Sequence, residues 1–334
     1  MKTIEYLWET ARADKKKAMP ILSFPAVQKL NVNVRTLVGN AQLQAAAMEI
    51  VAKETPSAGA VSLMDLSVEA QAFGAQVSFS DDEVPTITGQ IVADEADAEA
   101  LIVPHVGDGR TGICVEGIRL AKERITDRPV FAGVIGPYSL AGRLCDVTEI
   151  MYLLYDEPKA VHKVLRKCTD FLIDYCLAFR NVGADGVVMA EPLAGLLSAE
   201  MSEEFSCTYI KEIVEKVQTD EYALIYHNCG NSVGRMLPEV FAIGAAAYHF
   251  GNCVDMRNIM KAAPIGALCM GNIDPAGQFA GGTPESIRRD VLALMEDLGQ
   301  MENFILSSGC DIPPHAKWEN IRAFFCALDE YNLR

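Results

Sequence analysis

The chain has 334 residues, half of them apolar and 22% charged, which excludes a disordered or fibrous protein. Its 45 acids against 29 Lys and Arg leave a formal net charge of −16, which disfavours binding to nucleic acid or to an anionic membrane surface. No apolar run approaches the roughly 18 residues of a spanning helix, and the first residues, with an early acid at Glu5, do not read as a signal peptide. A soluble cytoplasmic protein is expected.

In chain order, an opening helical stretch leads to a long helix over 34–52, then to Ala60-Val61-Ser62-Leu63-Met64-Asp65, a short strand ending in an acid. Residues 74–110 read as irregular or hairpin structure, because the alternating Val77-Ser78-Phe79-Ser80 is broken by Asp81-Asp82-Glu83-Val84-Pro85. From there the rhythm is regular. A strand at 130–135 precedes a helix over 138–155 and a long helix over 158–180. The strand at 186–190 ends at Glu191-Pro192, before a helix over 202–217. The strand at 223–226 runs into His227, with a helix over 233–243 behind it, and the strand at 245–248 runs into His249. The strand at 267–270 ends at Gly271-Asn272-Ile273-Asp274-Pro275, and Thr283-Pro284 opens the next helix. The last strand, 304–307, ends at Ser308-Gly309-Cys310, before a helix over 315–328.

Continuous apolar strands alternating with amphipathic helices imply a parallel sheet covered by helices. About eight such units with no linker favour an α/β fold, a single (β/α)8 TIM barrel spanning 1–334. Residues 1–58 would form an N-terminal helical extension packed on it. A doubly wound sheet is the alternative.

Ten cysteines stand at 114, 145, 168, 176, 207, 229, 253, 269, 310 and 326. In a reducing compartment most read as small buried hydrophobes. Cys168 and Cys176 lie on a helical apolar stripe from which His162 departs, so His162 is expected in solvent. Cys229 and Cys310 differ. In Tyr226-His227-Asn228-Cys229-Gly230 the extended backbone turns His227 and Cys229 to the same side, and Cys310 lies 81 residues on at another strand end. One imidazole and two thiolates suit Zn²⁺ and leave a fourth position open. Two core thiols with a hydrogen-bonded histidine remain the competing reading. Asp65, Glu191, His227, Cys229, His249, Asn272, Asp274 and Cys310 all fall at inferred strand ends, where a barrel gathers its active-site groups.

The runs His227-Asn228-Cys229-Gly230-Asn231, Gly271-Asn272-Ile273-Asp274-Pro275 and Leu306-Ser307-Ser308-Gly309-Cys310-Asp311-Ile312-Pro313 resemble the uroporphyrinogen decarboxylase superfamily. Within it they are most similar to its cobamide-dependent methyltransferases, as are Pro20 to Ala26, Met64 to Ala70 and Gly136 to Ala141. The resemblance implies a URO-D/MetE-like barrel with zinc on His227, Cys229 and Cys310, and methyl transfer from a methylcobamide to a thiol (coenzyme M-like) or tetrahydrofolate acceptor. No Asp-x-His-x-x-Gly pattern occurs, so the corrinoid is expected on a separate protein. Glu191 and Asp65 are expected beside the acceptor, and Asn228, Asn272 and Tyr138 toward the cofactor. Asp274 reads as a loop-structuring residue, and His315 as the start of the last helix.

Two departures bear on the chemistry. Where related methyltransferases carry a carboxylate after the zinc motif, this chain has His249. It is open as a ligand, an acceptor-binding group or a satisfied mouth residue. Phe24 to Leu30 lacks the arginine cluster with which uroporphyrinogen decarboxylase itself grips its polyacidic substrate, so metal-free decarboxylation is the alternative function. The expected partners are a corrinoid protein and a small methyl acceptor, with self-association permitted.

Overall fold

The computed structural model describes residues 2–334. Nine strands occur: β1 Ala60–Val61, β2 Gln76–Ser78, β3 Thr86–Thr88, β4 Val130–Ile135, β5 Gly186–Ala190, β6 Ala223–Asn228, β7 Ala247–Phe250, β8 Cys269–Ile273 and β9 Phe304–Ser308. β2 and β3 pair antiparallel as a separate ribbon. The other seven form one curled, all-parallel sheet in the order β1-β4-β5-β6-β7-β8-β9, helices filling the crossovers.

Seven strands, not the expected eight, make up that sheet. Within residues 1–58, expected to be helical, residues 18–23 are extended and hydrogen-bond toward both sheet edges. On one side Ala18 bridges Leu306 of β9, and the Met19 amide donates to the Leu306 carbonyl at 2.9 Å. On the other the Ala58 amide, just before β1, donates to the Ala18 carbonyl at 2.8 Å, and Ser23 Oγ donates to the Val61 carbonyl at 2.5 Å. Pro20 offers no amide to a ladder, so the segment holds only part of a strand's bonds.

Side-chain alternation then divides the core. Val188 and Ala190 of β5, Ala223 and Ile225 of β6, Ala247 of β7, Met270 of β8 and Ile305 of β9 form one cluster on the concave face with Met19 and Ile21. The opposite side chains meet the helices in the larger core. The helix Thr3–Arg12 lays Leu7 and Ala11 into the concave cluster, anchored where Thr3 Oγ1 donates to the Glu221 carbonyl at 2.8 Å.

Several helices are shorter than their periodicity suggests. The one expected over 34–52 breaks at Gly39-Asn40, where Asn40 caps Ala41–Glu54 by accepting from the Leu43 amide at 3.0 Å. The one expected over 138–155 breaks at Asp146, whose φ of 71° turns the chain and whose carboxylate caps Val147–Asp156. No helix is long and apolar enough, among the described residues, to cross a membrane.

Leu7 is fully buried between the terminal helix and the concave cluster. Leu7→Ala is expected to cost about 2–5 kcal/mol, read as a lower denaturant midpoint with an unchanged slope.

Candidate metal centre

Alternation along β6 puts Ala223 and Ile225 on the concave face, so the next inward residue is His227. Parallel register sets His227 beside His249 on β7, and Ser307 lies two strands beyond on β9. All three side chains are buried. Ser307 Oγ donates its single proton to the Met19 carbonyl at 2.8 Å, so it can only accept from His249 Nε2, also at 2.8 Å. His249 Nδ1 is then a lone pair, and it accepts from His227 Nδ1 at 2.8 Å. The proton of His227 therefore sits on Nδ1. Its Nε2 is left bare, buried and without a partner.

Bare Nε2 is the atom a metal would need. The ligand atoms of His227, Cys229 and Cys310 all lie within 4.8 Å of one another. The Cys310 thiol donates toward Cys229 and holds the Cys229 thiol well below its ordinary range; Cys310 is pushed up by the same contact and by burial. Two thiols and an imidazole with a free lone pair are a soft N/S set that fits tetrahedral Zn²⁺ with a fourth position open. Burial and the adjacent His227 push His249 well below the usual imidazole range, so it stays neutral. Both of its ring nitrogens are engaged, Nε2 by Ser307 and Nδ1 by His227.

Glycines let the ligand-bearing loops stack backbone to backbone. A Cβ on Gly251, after β7, would lie 2.5 Å from Cys229 Cα; one on Gly309 would lie 2.7 Å from the Asn252 amide nitrogen. No larger residue permits those approaches.

The other expected residues are spread more widely. Asp65 is buried in an ion pair with Arg110, while Ser67 Oγ donates to its second oxygen at 2.6 Å. Glu191 is sealed at the start of the helix Pro137–Cys145, accepting from the Tyr138 and Ser139 amides at 3.1 and 2.5 Å; burial nevertheless pushes it up to about 7. Tyr138 is buried with its hydroxyl toward Met151 Sδ, and Asn228 bonds Tyr226 and its own turn at Gly230. Asn272 donates to the Gly251 and Val254 carbonyls at 2.8 Å each, fixing the loop behind Cys229. Of these, only Glu191 bonds a member of the trio, its amide donating to the His227 carbonyl at 2.8 Å; none does so through its side chain. Asp274 caps the turn after β8, and His315 is exposed ahead of the helix Trp318–Asn332.

Three polar groups escaped the sequence reading. Arg110 lies in the stretch taken as irregular, and Ser307 carries no motif of its own. Asp311, beside Cys310, is pushed up to about 8 by burial although the Met64 amide donates to it at 3.2 Å. Of the eight cysteines expected as core, Cys145, Cys168, Cys176, Cys207 and Cys269 are buried, Cys114 is half-buried, and Cys253 and Cys326 are exposed. His162 is not free in solvent: it stacks on Phe205 at 4.7 Å and bonds Tyr209.

The sequence model described as uroporphyrinogen decarboxylase (URO-D) matches residues 16–331. The chain belongs to the uroporphyrinogen decarboxylase family. Among curated proteins, this family member is 28% identical over 256 residues to the methylcobamide:CoM methyltransferase MtbA of Methanosarcina acetivorans, covering 74% of this chain and 72% of that one. It is 27% identical over 248 residues to the uroporphyrinogen decarboxylase of Chlorobaculum tepidum, covering 72% and 70%. Among solved structures, a methyltransferase from Methanosarcina mazei shares the fold with a TM-score of 0.87 at 20% identity, over 99% of both chains. A B12-independent methionine synthase from Shewanella follows at 0.61 and 12%, over 95% of both.

In this family member Ser307→Ala leaves His249 Nε2 without its acceptor and frees the His227 ring. Zinc affinity, measured by competition with a chromophoric chelator, is expected to fall about 10–100-fold with the fold intact.

Proposed function

We propose that this chain is a zinc-dependent methyltransferase that moves a methyl group from a corrinoid carried by another protein to a thiol or tetrahydrofolate acceptor. The observation that carries this reading is the unpartnered Nε2 of His227 facing two sulfurs. A metal-free enzyme has no use for a buried bare lone pair, which costs desolvation without return. Similarity to the Methanosarcina methyltransferase supports the choice of reaction. Counting residues 18–23 as the missing strand gives the scaffold as a (β/α)8 barrel, with the trio at the carboxyl ends of its strands.

His227, Cys229 and Cys310 would hold the zinc, and Ser307 and His249 fix the His227 ring for it. When bound, zinc would keep an acceptor thiol ionised near neutral pH, well below its free value of about 8.5. The acceptor sulfur attacks the methyl carbon of the methylated corrinoid substrate. The S–C bond forms, the Co–C bond breaks with its electron pair left on cobalt, and the thiol proton goes to solvent.

Decarboxylation of uroporphyrinogen is the second reading, favoured by the relatives of that name. Against it, Phe24 to Leu30 carries one cation, Lys29, which is spent on Glu54 at 3.1 Å and on the Trp318 ring. A polyacidic substrate would find no free arginine cluster there.

Metal analysis is expected to find about one zinc per chain, lost in Cys310→Ser. The zinc-loaded protein should demethylate methylcobalamin with a thiol or with tetrahydrofolate, and Cys310→Ser should fall to background. A metal-free preparation that decarboxylates uroporphyrinogen would establish the second reading instead.

A further inference from the structure

Large apolar side chains exposed among the described residues are few, and they are not scattered. Of Ile102, Val147, Tyr152, Tyr155, Leu196, Ile265 and Leu333, four line one groove of about 510 Å³, with Thr148 and Met151 as its floor. Val147, Met151 and Tyr155 repeat every four residues along Val147–Asp156, so exposed Val147 and Tyr155 flank half-buried Met151 on one face of the helix. Tyr152 and Tyr155 are 62% and 73% exposed, and Leu196 is 57% exposed on the turn after β5.

The groove adjoins the metal centre. A Cβ on Gly195 would lie 2.5 Å from Gly230 Cα. Leu196 follows Gly195 and Cys229 precedes Gly230, so the Leu196 and Cys229 backbones are within about 12 Å of each other. The helix Pro137–Cys145 and the turn after β5 follow the ends of β4 and β5, and Val147–Asp156 packs back on the first of them, where the Tyr138 hydroxyl donates to Met151 Sδ at 3.3 Å.

Charge selects the occupant. Residues 146–157 and 192–204 carry Asp146, Glu149, Asp156, Glu157, Glu200, Glu203 and Glu204, all exposed, and no Lys or Arg. Two copies of this chain meeting here would set acid against acid, and anionic lipid or nucleic acid would be repelled. The surface fits a protein with an apolar centre and a basic rim.

We propose that this groove is where the corrinoid-carrying protein docks, an inference that rests on the methyltransferase reading. Tyr152, Tyr155 and Leu196 form the apolar anchor, and the acids around them steer a basic partner onto the rim beside Cys229.

The test compares two methyl donors in the Tyr152→Glu, Leu196→Glu double variant: free methylcobalamin, and the methylated corrinoid proteins encoded in the same genome. Free methylcobalamin should turn over as in the wild type, with unchanged zinc content. The KM for the protein-bound donor should rise about tenfold or more, the loss of one interface anchor, and the wild-type KM should rise with salt. Tyr152→Ser with Leu196→Ser serves if the Glu variant does not fold. Wild-type turnover of a protein-bound donor with an unchanged KM in the variants overturns the docking site and leaves the methyltransferase reading standing. A concentration-dependent dimer that the same variants abolish, again with unchanged KM, assigns the groove to a second copy. Wild-type protein that demethylates neither donor overturns both.

Discussion

Everything at the candidate metal centre depends on where one proton sits. The Met19 carbonyl takes the Ser307 proton, Ser307 takes the His249 proton, and His249 takes the Nδ1 proton of His227. Each step leaves the next group a single role, and the chain ends in a lone pair aimed at two sulfurs. Were Ser307 to turn its proton toward His249, the order would reverse and Nε2 of His227 would carry a proton into the trio. The first link is a backbone carbonyl, which cannot donate, so the direction is fixed. A short extended segment near the start of the chain thus sets the tautomer of a histidine more than 200 residues later.

The same segment matters to the sheet. Residues 18–23 bond toward β9 and β1, and they also place Met19 and Ile21 in the concave cluster. The Ser307–His249–His227 relay rests on that cluster as its final layer: His227 succeeds Ile225, His249 succeeds Ala247, and Ser307 succeeds Ile305 along their strands. Packing below and the glycine contacts above hold the ligands on rigid elements. Positioning of this kind is what a metal site needs, since an ill-supported ligand loses affinity even when its chemistry is right.

How much of this the sequence carries follows from which contacts are local. The His-x-Cys pair is legible because alternation is a property of one strand, and Cys310 because Gly309 marks a strand end. Thr283-Pro284 reads correctly as a helix start for the same reason: its capping box lies within four residues. The Ser307–His249–His227 relay is not legible, because its members meet only through sheet register across 80 residues. Residues 18–23 escape because a strand holding Pro20, only partly laddered, has no alternation to show. Arg110 escapes because its stretch has no periodicity, and Asp146 because a left-handed aspartate inside an apolar pattern gives no local warning.

Charge ties the site to its choice of substrate. In a chain of −16, a polyanion can be held only by cations that the protein has not already spent. Arg110 is spent: its guanidinium bonds Asp65, Ser67 and Gln71 and lies over the Phe79 ring. Lys29 is tied to Glu54. Glu69, nearby, is raised to about 7 by its burial. Both of these cations, Arg110 and Lys29, are thus already paired, whereas the donor atoms of His227, Cys229 and Cys310 lie within 4.8 Å of one another. A soft donor set of this kind is chemically suited to a cation, and each cation spent on the protein's own acids is one fewer for a polyacid.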